Sequence, residues 1–238
     1  MGVQEDLQRK LRNERRVPMK ILPLKIKLLG PMFNYCRVTT GGAITSDFIG
    51  DLALTYAVNR TRKDKNFYEE YRRKPYYEEL RNLDYYFCVG KPLHYKMTGL
   101  YTRNTLFNVD GFPDMSIIGN DGLAAKNLFK NYFKVQGILP EAEFSTCLVC
   151  KDSLNLKLPF VIRLGTGREC LAVLGHDGEF DGKIWLNAFT LKTVFGNLKT
   201  AIKLLESYFF EYKLENYILM KNVSCDQVKQ IFSDIFND

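Results

Sequence analysis

The sequence has few of the residues on which metal and acid–base chemistry depend: its 238 residues include only two histidines, His94 and His176. The six cysteines lack the regular spacing of a disulfide framework, which is typical of reduced thiols in a cytosolic protein. Cys147-Leu-Val-Cys150 is the one CxxC motif, and a zinc site would need a second pair of Cys or His ligands. A strand would also send Cys147 and Cys150 to opposite faces. We therefore expect neither a metal nor another cofactor.

Long apolar runs are missing as well. No run approaches the ~18 residues that span a bilayer, and the polar residues 1–16 contain no apolar signal core. The sequence thus predicts a cytoplasmic protein with no membrane partner. A hydrophobic content of 46% and a charged content of 26% exclude a disordered chain. The net charge of +7 favours a polyanionic partner.

Periodicity predicts a mixed α+β protein. A first half-buried strand is predicted at 19–29, interrupted near Pro23. Later apolar-rich segments bounded by Gly, Asp or Pro predict further strands at 85–90, 144–150, 159–165, 169–175 and 183–189. Residues 1–17 are predicted to be a charged arm. Residues 18–238 are predicted to be one domain that carries a polar, basic insertion at about 61–122.

Two helices are predicted from capping signals. Ser46 or Asp47 is expected to cap the first helix, which follows the strands at the N-terminus. Its apolar face is predicted to contain Phe48, Ile49, Leu52, Ala53, Tyr56 and Ala57. Ser224-x-x-Gln227 is a capping box that predicts a final amphipathic helix. The segment 199–210 fits both the helical and the strand period in part.

The insertion begins with a block in which cations and aromatic rings alternate. This pattern suits single-stranded RNA, because phosphates bind Lys and Arg while unstacked bases stack on rings. The alternative is an exposed helical segment whose rings pack on the core or on a partner. The candidate RNA-binding cations of this region are Arg60, Arg62, Lys63, Lys65, Arg72, Arg73 and Arg103.

A second candidate RNA site is IRLGTGREC at 162–170. Gly165 and Gly167 would let the backbone approach a ligand closely, and Arg163 and Arg168 could bind phosphate oxygens. The alternative is a hairpin turn that needs positive φ, with solvated arginines.

A third candidate is His94-Tyr95-Lys96. These residue types could carry out metal-free RNA cleavage, yet three adjacent residues on an extended chain do not all point the same way. The alternative is a strand edge where His94 and Lys96 contact RNA without catalysis. We predict no catalytic residue.

The order of elements, a strand, a short helix, a basic insertion and a glycine-containing strand turn, resembles the small CRISPR RAMP subunit of the type I-D Cascade complex. The helix matches that family's pattern at Ile44, Ser46, Ile49, Gly50, Ala53, Leu54, Tyr56 and Ala57. The resemblance implies a ferredoxin-like or RRM-like core with a thumb-like insertion, and it places the family's glycine-rich loop at Gly165 and Gly167. It also implies a subunit that holds the 5′ handle of the CRISPR RNA and caps the backbone filament. A separate subunit would then cleave the precursor RNA.

The resemblance implies three kinds of partner: CRISPR RNA, the backbone and large subunits, and target DNA near the protospacer-adjacent motif. The leading hypothesis is a non-catalytic RNA-binding subunit of that complex. The alternatives are a metal-independent endoribonuclease and a purely structural protein-interaction module.

Overall fold

A computed structural model describes residues 18–39, 42–63, 77–104, 132–165, 169–196, 212–214 and 217–237. The strands are β1 Met19–Leu28, β2 Tyr35–Thr39, β3 Gly42–Thr45, β4 Tyr85–Phe87, β5 Lys91–His94, β6 Tyr101–Asn104, β7 Tyr132–Gln136, β8 Glu143–Lys151, β9 Phe160–Leu164, β10 Cys170–His176, β11 Lys183–Asn187, β12 Tyr212–Leu214 and β13 Tyr217–Ser224. The helices are α1 Asp51–Arg62, α2 Ala188–Thr193 and α3 Cys225–Asn237, with a 3₁₀ helix at Tyr77–Asn82.

Several predictions fall on residues outside the described ranges. They concern the N-terminal arm, the segment 199–210, and the candidate RNA-binding residues Lys65, Arg72, Arg73, Gly167 and Arg168.

The main sheet of six antiparallel strands confirms the mixed α and β architecture. Its order is β4-β8-β1-β10-β9, and β5 also pairs with β8. Within β1 the side chains of Leu24, Ile26 and Leu28 are buried and those between them are half-buried, which is the alternation expected of a strand. The predicted strands at 144–150, 159–165 and 169–175 are confirmed as β8, β9 and β10.

The predicted interruption of β1 at Pro23 is wrong. Pro23 pairs with Cys147 of β8 within an unbroken strand. Its carbonyl faces the other neighbour and accepts a hydrogen bond from the backbone N–H of Asp177, just after β10 ends. The N–H that proline lacks would point to that same side, where the ladder with β10 begins only at Leu24. The missing donor therefore costs only the hydrogen bond at the very end of this ladder, and the pairing of β1 with β8 is unaffected.

The two faces of the main sheet bury separate apolar clusters. One face carries Leu24 and Ile26 of β1 and packs against α1. On the other face, Ile21 packs in a cluster with β11, β13 and α3. Cys150 belongs to the first cluster and Cys147 to the second, which confirms that the CxxC cysteines point to opposite faces. Burial raises the pKa of Cys147 to about 12.

Helix α1 begins later than predicted. Its N-cap is Gly50, which has extended backbone angles, and the helix has no side-chain cap. The hydroxyl of Ser46 instead donates to the carbonyl of Phe48 at 2.9 Å. This start shifts the buried face to Asp51, Leu52, Leu54, Thr55, Val58 and Asn59. Leu52, Tyr56 and Ala57 of the predicted face do pack against the core, whereas Phe48 and Ile49, although buried, precede the helix.

The C-terminal predictions are mixed in outcome. The capping box is confirmed: the side chain of Gln227 accepts from the N–H of Ser224 at 3.1 Å, and the hydroxyl of Ser224 accepts from the N–H of Gln227 at 3.4 Å. The predicted strand 183–189 ends at Asn187, because its side chain accepts from the N–H of Phe189 and starts α2.

Two smaller sheets complete the described part of the chain. One has the order β11-β13-β12, and the other has the order β2-β3-β7-β6 with a parallel β3–β7 pair. Strands β4 and β5 lie within the predicted insertion 61–122 and pair with β8 of the main sheet. No helix in the described ranges is long and apolar enough to cross a membrane.

Candidate nucleic-acid interface

The register of the main sheet places the candidate RNA-binding residues at two ends. Lys20 of β1 pairs with Cys150, which pairs with Tyr85, and α1 ends over this row. Arg163 pairs with Leu171, whose carbonyl accepts from the N–H of Leu29. Nine residues of β1 separate these rows, which corresponds to about 30 Å at the rise of a strand.

The first end is rich in cations, and we call it the basic end. It combines the last residues of α1 with the first residues of β1, the last of β8 and the loop 152–158. Its described cations are Lys20, Arg60, Arg62, Lys63, Lys151 and Lys157. Asp84 and Asp152 lie among these cations, and Asp84 is paired with Lys151 at 2.8 Å. The clustering of six cations favours a positive field at this end.

Hydrogen bonds fix part of the basic end in place. Arg62 donates from Nη1 to the carbonyl of Asn155 at 3.0 Å and lies over the ring of Tyr85 at 5.9 Å. Lys20 donates to the carbonyl of Leu154 at 3.0 Å. Lys63 closes α1 with φ 59°, and its side chain is exposed. Arg62 and Lys20 therefore hold the loop against α1, and the side chains of Arg60, Lys63 and Lys157 are exposed.

The glycine turn lies at the opposite end. Gly165 has φ +82°, and a Cβ there would lie 3.0 Å from the carbonyl oxygen of Phe33. The turn thus requires glycine for two local reasons, its backbone conformation and its contact with the loop before β2. Arg163 is exposed on β9 next to this turn. Both properties of Gly165 fit the hairpin alternative and do not depend on a ligand.

His94 reaches the same end of the sheet from β5. Backbone pairing across the five neighbouring strands β5, β8, β1, β10 and β9 aligns five residues in one row on a face of the sheet. They are His94, Glu143, Lys27, Val173 and Val161. At the usual strand spacing this row is about 19 Å long. Tyr95 and Lys96 follow β5 and are both exposed. Arg103 lies farther away, in β6, where its backbone pairs with Phe133.

The end that contains the glycine turn is also where apolar side chains are exposed, and we call it the apolar end. All the large apolar side chains that are exposed in the described ranges lie there. They are Leu29, Leu93, Tyr95, Leu100, Tyr101, Leu139, Val161 and Leu171.

Lysines at the apolar end are paired with carboxylates. Lys25 lies 3.7 Å from Glu143 and 3.5 Å from Glu179, and Lys27 lies 2.5 Å from Glu141. Partial desolvation lowers the pKa of Lys25, but the glutamates outweigh it and the pKa is raised. The hydrogen bond to Glu141 likewise raises the pKa of Lys27. Glutamates therefore balance the charges of Lys25 and Lys27, whereas Lys96 and Arg163 at this end are exposed.

Comparison with protein families agrees with the order of elements. The family model for the type I-D CRISPR-associated protein Cas5/Csc1 matches residues 19–233. The chain belongs to the type I-D Cas5/Csc1 family. This confirms the resemblance drawn from the sequence and makes the protein a subunit of a type I-D CRISPR Cascade complex. A comparison with curated proteins finds no match.

The fold of this Cas5/Csc1 family member thus divides its predicted RNA-binding residues. Arg60, Arg62 and Lys63 lie at the basic end. His94, Lys96, Arg163 and Gly165 lie at the apolar end. Arg103 belongs to neither group, and only its backbone is described.

Sequence reasoning missed three cations of the basic end, Lys20, Lys151 and Lys157. Lys20 belongs to a strand pattern, and Lys157 lies in a loop more than ninety residues from α1. The hydrogen bond between Arg62 and Asn155, and the packing of Leu156 against the core beneath α1, bring that loop to the helix. No local signal in the sequence would have linked them.

Proposed function

We propose that this subunit binds the 5′ handle of the CRISPR RNA without cleaving it, caps the backbone filament next to the large subunit, and lies near the protospacer-adjacent motif of target DNA. The observation that carries this proposal is membership of the Cas5/Csc1 family over residues 19–233. The net charge of +7 and the exposed cations of the basic end support a nucleic-acid partner.

We assign the RNA phosphates to the basic end. The side chains of Arg60, Lys63 and Lys157 are exposed there. At the apolar end, in contrast, Lys25 and Lys27 already bind glutamates. Phosphate contacts release counterions and dominate affinity for nucleic acids. The basic end is therefore the better binding surface for the RNA phosphates.

We also propose that the main sheet belongs to a ferredoxin-like core. Strand β1 is followed by α1, which contacts β9, and the β9–β10 hairpin returns antiparallel to β1. This is the first βαββ part of a ferredoxin-like unit. Strand β8 lies on the other side of β1 but precedes the hairpin in the chain, so the connection differs from a simple repeat of that unit.

The absence of catalysis is part of the proposal. His94, Tyr95 and Lys96 are all exposed, and an acid–base site gains its effect from an enclosed, water-excluding pocket. Incubation of the full chain with precursor CRISPR RNA in EDTA should leave the RNA intact. A cut that is lost in His94→Gln would overturn this part and make the protein a metal-independent endoribonuclease.

The RNA-binding role is tested with a synthetic RNA that carries the repeat-derived handle. The double variant Arg60→Gln/Lys63→Gln should lower affinity and reduce the slope of log affinity against log salt by about 1.4, since each phosphate contact on a single strand contributes about 0.7.

Lys96→Gln/Arg163→Gln is the matched control, because it removes the same charge from the apolar end. The control should bind RNA like the wild type. Loss of affinity in the control alone would move the footprint to the glycine turn. If the wild type binds the handle no better than a scrambled RNA, the proposed function is wrong.

A further inference from the structure

We propose that Arg62 and Lys20 are positioning residues for the loop 152–158. They hold this loop beside the end of α1, so that its exposed Lys157 joins Lys63 as a contact for RNA phosphates. The inference rests on the RNA-binding function proposed above, and it separates the cations that touch RNA from those that act through the protein.

Three backbone carbonyls of the loop accept hydrogen bonds from these two cations. Arg62 donates from Nη1 to the carbonyl of Asn155 at 3.0 Å. Nζ of Lys20 donates to the carbonyl of Leu154 at 3.0 Å and to that of Asp152 at 3.2 Å. Hydrogen bonds from a charged donor are about twice as strong as neutral ones. The two cations therefore tie the first half of the loop to β1 and α1.

The alternation of burial along the loop turns Lys157 outward. Leu154, Leu156 and Leu158 are partly buried and pack against the main core. Asn155 and Lys157, which lie between them, are exposed. This alternation is that of an extended segment, in which neighbouring side chains point to opposite sides. Because the leucines face the core, the side chain of Lys157 faces solvent beside the end of α1.

Arg62 is itself held by contacts within the protein. Its guanidinium lies 5.9 Å from the centre of the Tyr85 ring, and Tyr85 is buried in β4. The side chain of Arg62 is half-buried, whereas those of Thr61 and Lys63 on either side of it are exposed. A guanidinium combines a stacking face with in-plane donors, so one side chain can pack on the ring and donate to the loop. This geometry fits a role in holding the loop better than a role as an RNA contact.

Hydrogen–deuterium exchange of the free full chain, measured by mass spectrometry, tests the positioning. Within the loop, the N–H groups of Asp152 and Leu154 donate to backbone carbonyls, so their exchange reports opening of the loop. Arg62→Gln and Lys20→Gln should each speed this exchange by about tenfold or more, because a lost hydrogen bond to a charged donor shifts the opening equilibrium by about that factor. Arg62→Lys keeps the charge and a donor, so its loop should exchange more slowly than that of Arg62→Gln.

Lys63→Gln is the matched control for the exchange experiment, because it removes the same charge from an exposed side chain one residue along the chain. It should leave exchange in the loop at the wild-type rate. Exchange in α3 reports global unfolding and should be unchanged in all of these variants.

Binding of the synthetic handle RNA tests the role of Lys157. Lys157→Gln should reduce the slope of log affinity against log salt by about 0.7, the contribution of one phosphate contact on a single strand. If Arg62 acts through Lys157, the double variant Arg62→Gln/Lys157→Gln should show the same reduction and bind within about twofold of Lys157→Gln. Two independent contacts would instead add, and the slope would fall by about 1.4.

Wild-type exchange in the loops of Arg62→Gln and Lys20→Gln would overturn the positioning. Additive effects of Arg62→Gln and Lys157→Gln on the slope would overturn it as well, because Arg62 would then contact RNA itself. Unchanged RNA affinity of Lys157→Gln would overturn the role of Lys157. If the wild type binds the handle no better than a scrambled RNA, the proposed function fails together with the role of Lys157, while exchange in the loop still decides the positioning.

Discussion

Gly165 combines a left-handed backbone conformation with close contact to a neighbouring loop. Its φ is +82°, and the carbonyl oxygen of Phe33 lies 3.0 Å from where a Cβ would be. The sequence predicted either a ligand-binding glycine or a hairpin glycine at this position. The contact with Phe33 gives the residue a structural role that explains its type without RNA.

We expect Gly165→Ala to lower the free energy of unfolding by about 1–3 kcal/mol, because alanine is strained at positive φ and its methyl group would crowd a backbone oxygen that cannot rotate away. Urea denaturation measures this loss. Gly99→Ala is the matched control, since nothing lies within 4 Å of a Cβ there, and its stability should equal or exceed that of the wild type. Equal effects of the two substitutions would contradict the structural role of Gly165.

At the scale of elements, a buried polar cluster ties the start of α1 to β4 and α2. The hydroxyl of Tyr86 donates to Asp51 Oδ2 at 2.5 Å, and Nδ2 of Asn187 donates to Asp51 Oδ1 at 3.1 Å. The same Nδ2 donates to the hydroxyl of Thr190 at 3.0 Å. Burial raises the pKa of Asp51, although these hydrogen bonds oppose the shift. Burial likewise raises the pKa of Tyr86 well above its usual value.

This cluster makes stability depend on pH. Because the pKa of Asp51 is higher in the folded protein, the folded state favours the protonated carboxyl, and this contribution is lost as the pH rises through the folded pKa. Asp51→Asn removes the titration. The unfolding free energy of the variant minus that of the wild type should therefore increase with pH. The increase should begin near the usual aspartate pKa of about 3.9 and continue through the raised pKa of Asp51 in the folded protein.

Urea unfolding of both proteins at several pH values between 4 and 8 measures this difference. Asp152→Asn at an exposed turn is the control, since it removes a carboxyl group without touching the buried cluster. A difference between Asp51→Asn and the wild type that stays constant or decreases with pH would contradict the account.

At the scale of the whole molecule, the basic end and the apolar end lie about 30 Å apart along β1. Sites this far apart without shared contacts contribute additively. The quadruple variant of Arg60→Gln/Lys63→Gln with Lys96→Gln/Arg163→Gln should match the first double variant in RNA affinity within about twofold. Filter binding with the handle RNA measures this affinity. A deficit larger than the sum would mean that one ligand contacts both ends.

Sequence reasoning succeeded where a local pattern decides the structure. Apolar-rich segments bounded by Gly, Asp or Pro predicted the existence of β8, β9 and β10, and Ser224 and Gln227 predicted the start of α3 from a capping box within four residues. It failed for the start of α1, because the extended backbone at Gly50 depends on packing around Phe48 and Ile49. It also failed at Pro23, because the ladder between β1 and β10 begins one residue later, at Leu24.

For the candidate site, the sequence by itself determined an excess of cations, candidate RNA-binding residues such as Lys63, Lys96 and Arg163, and an order of elements that resembles the family. Only the tertiary structure decided that Lys63 lies at one end of the sheet and Arg163 at the other. The physical reason is that strand register joins residues more than a hundred positions apart, and the pairings that set it leave no periodic signal in the chain.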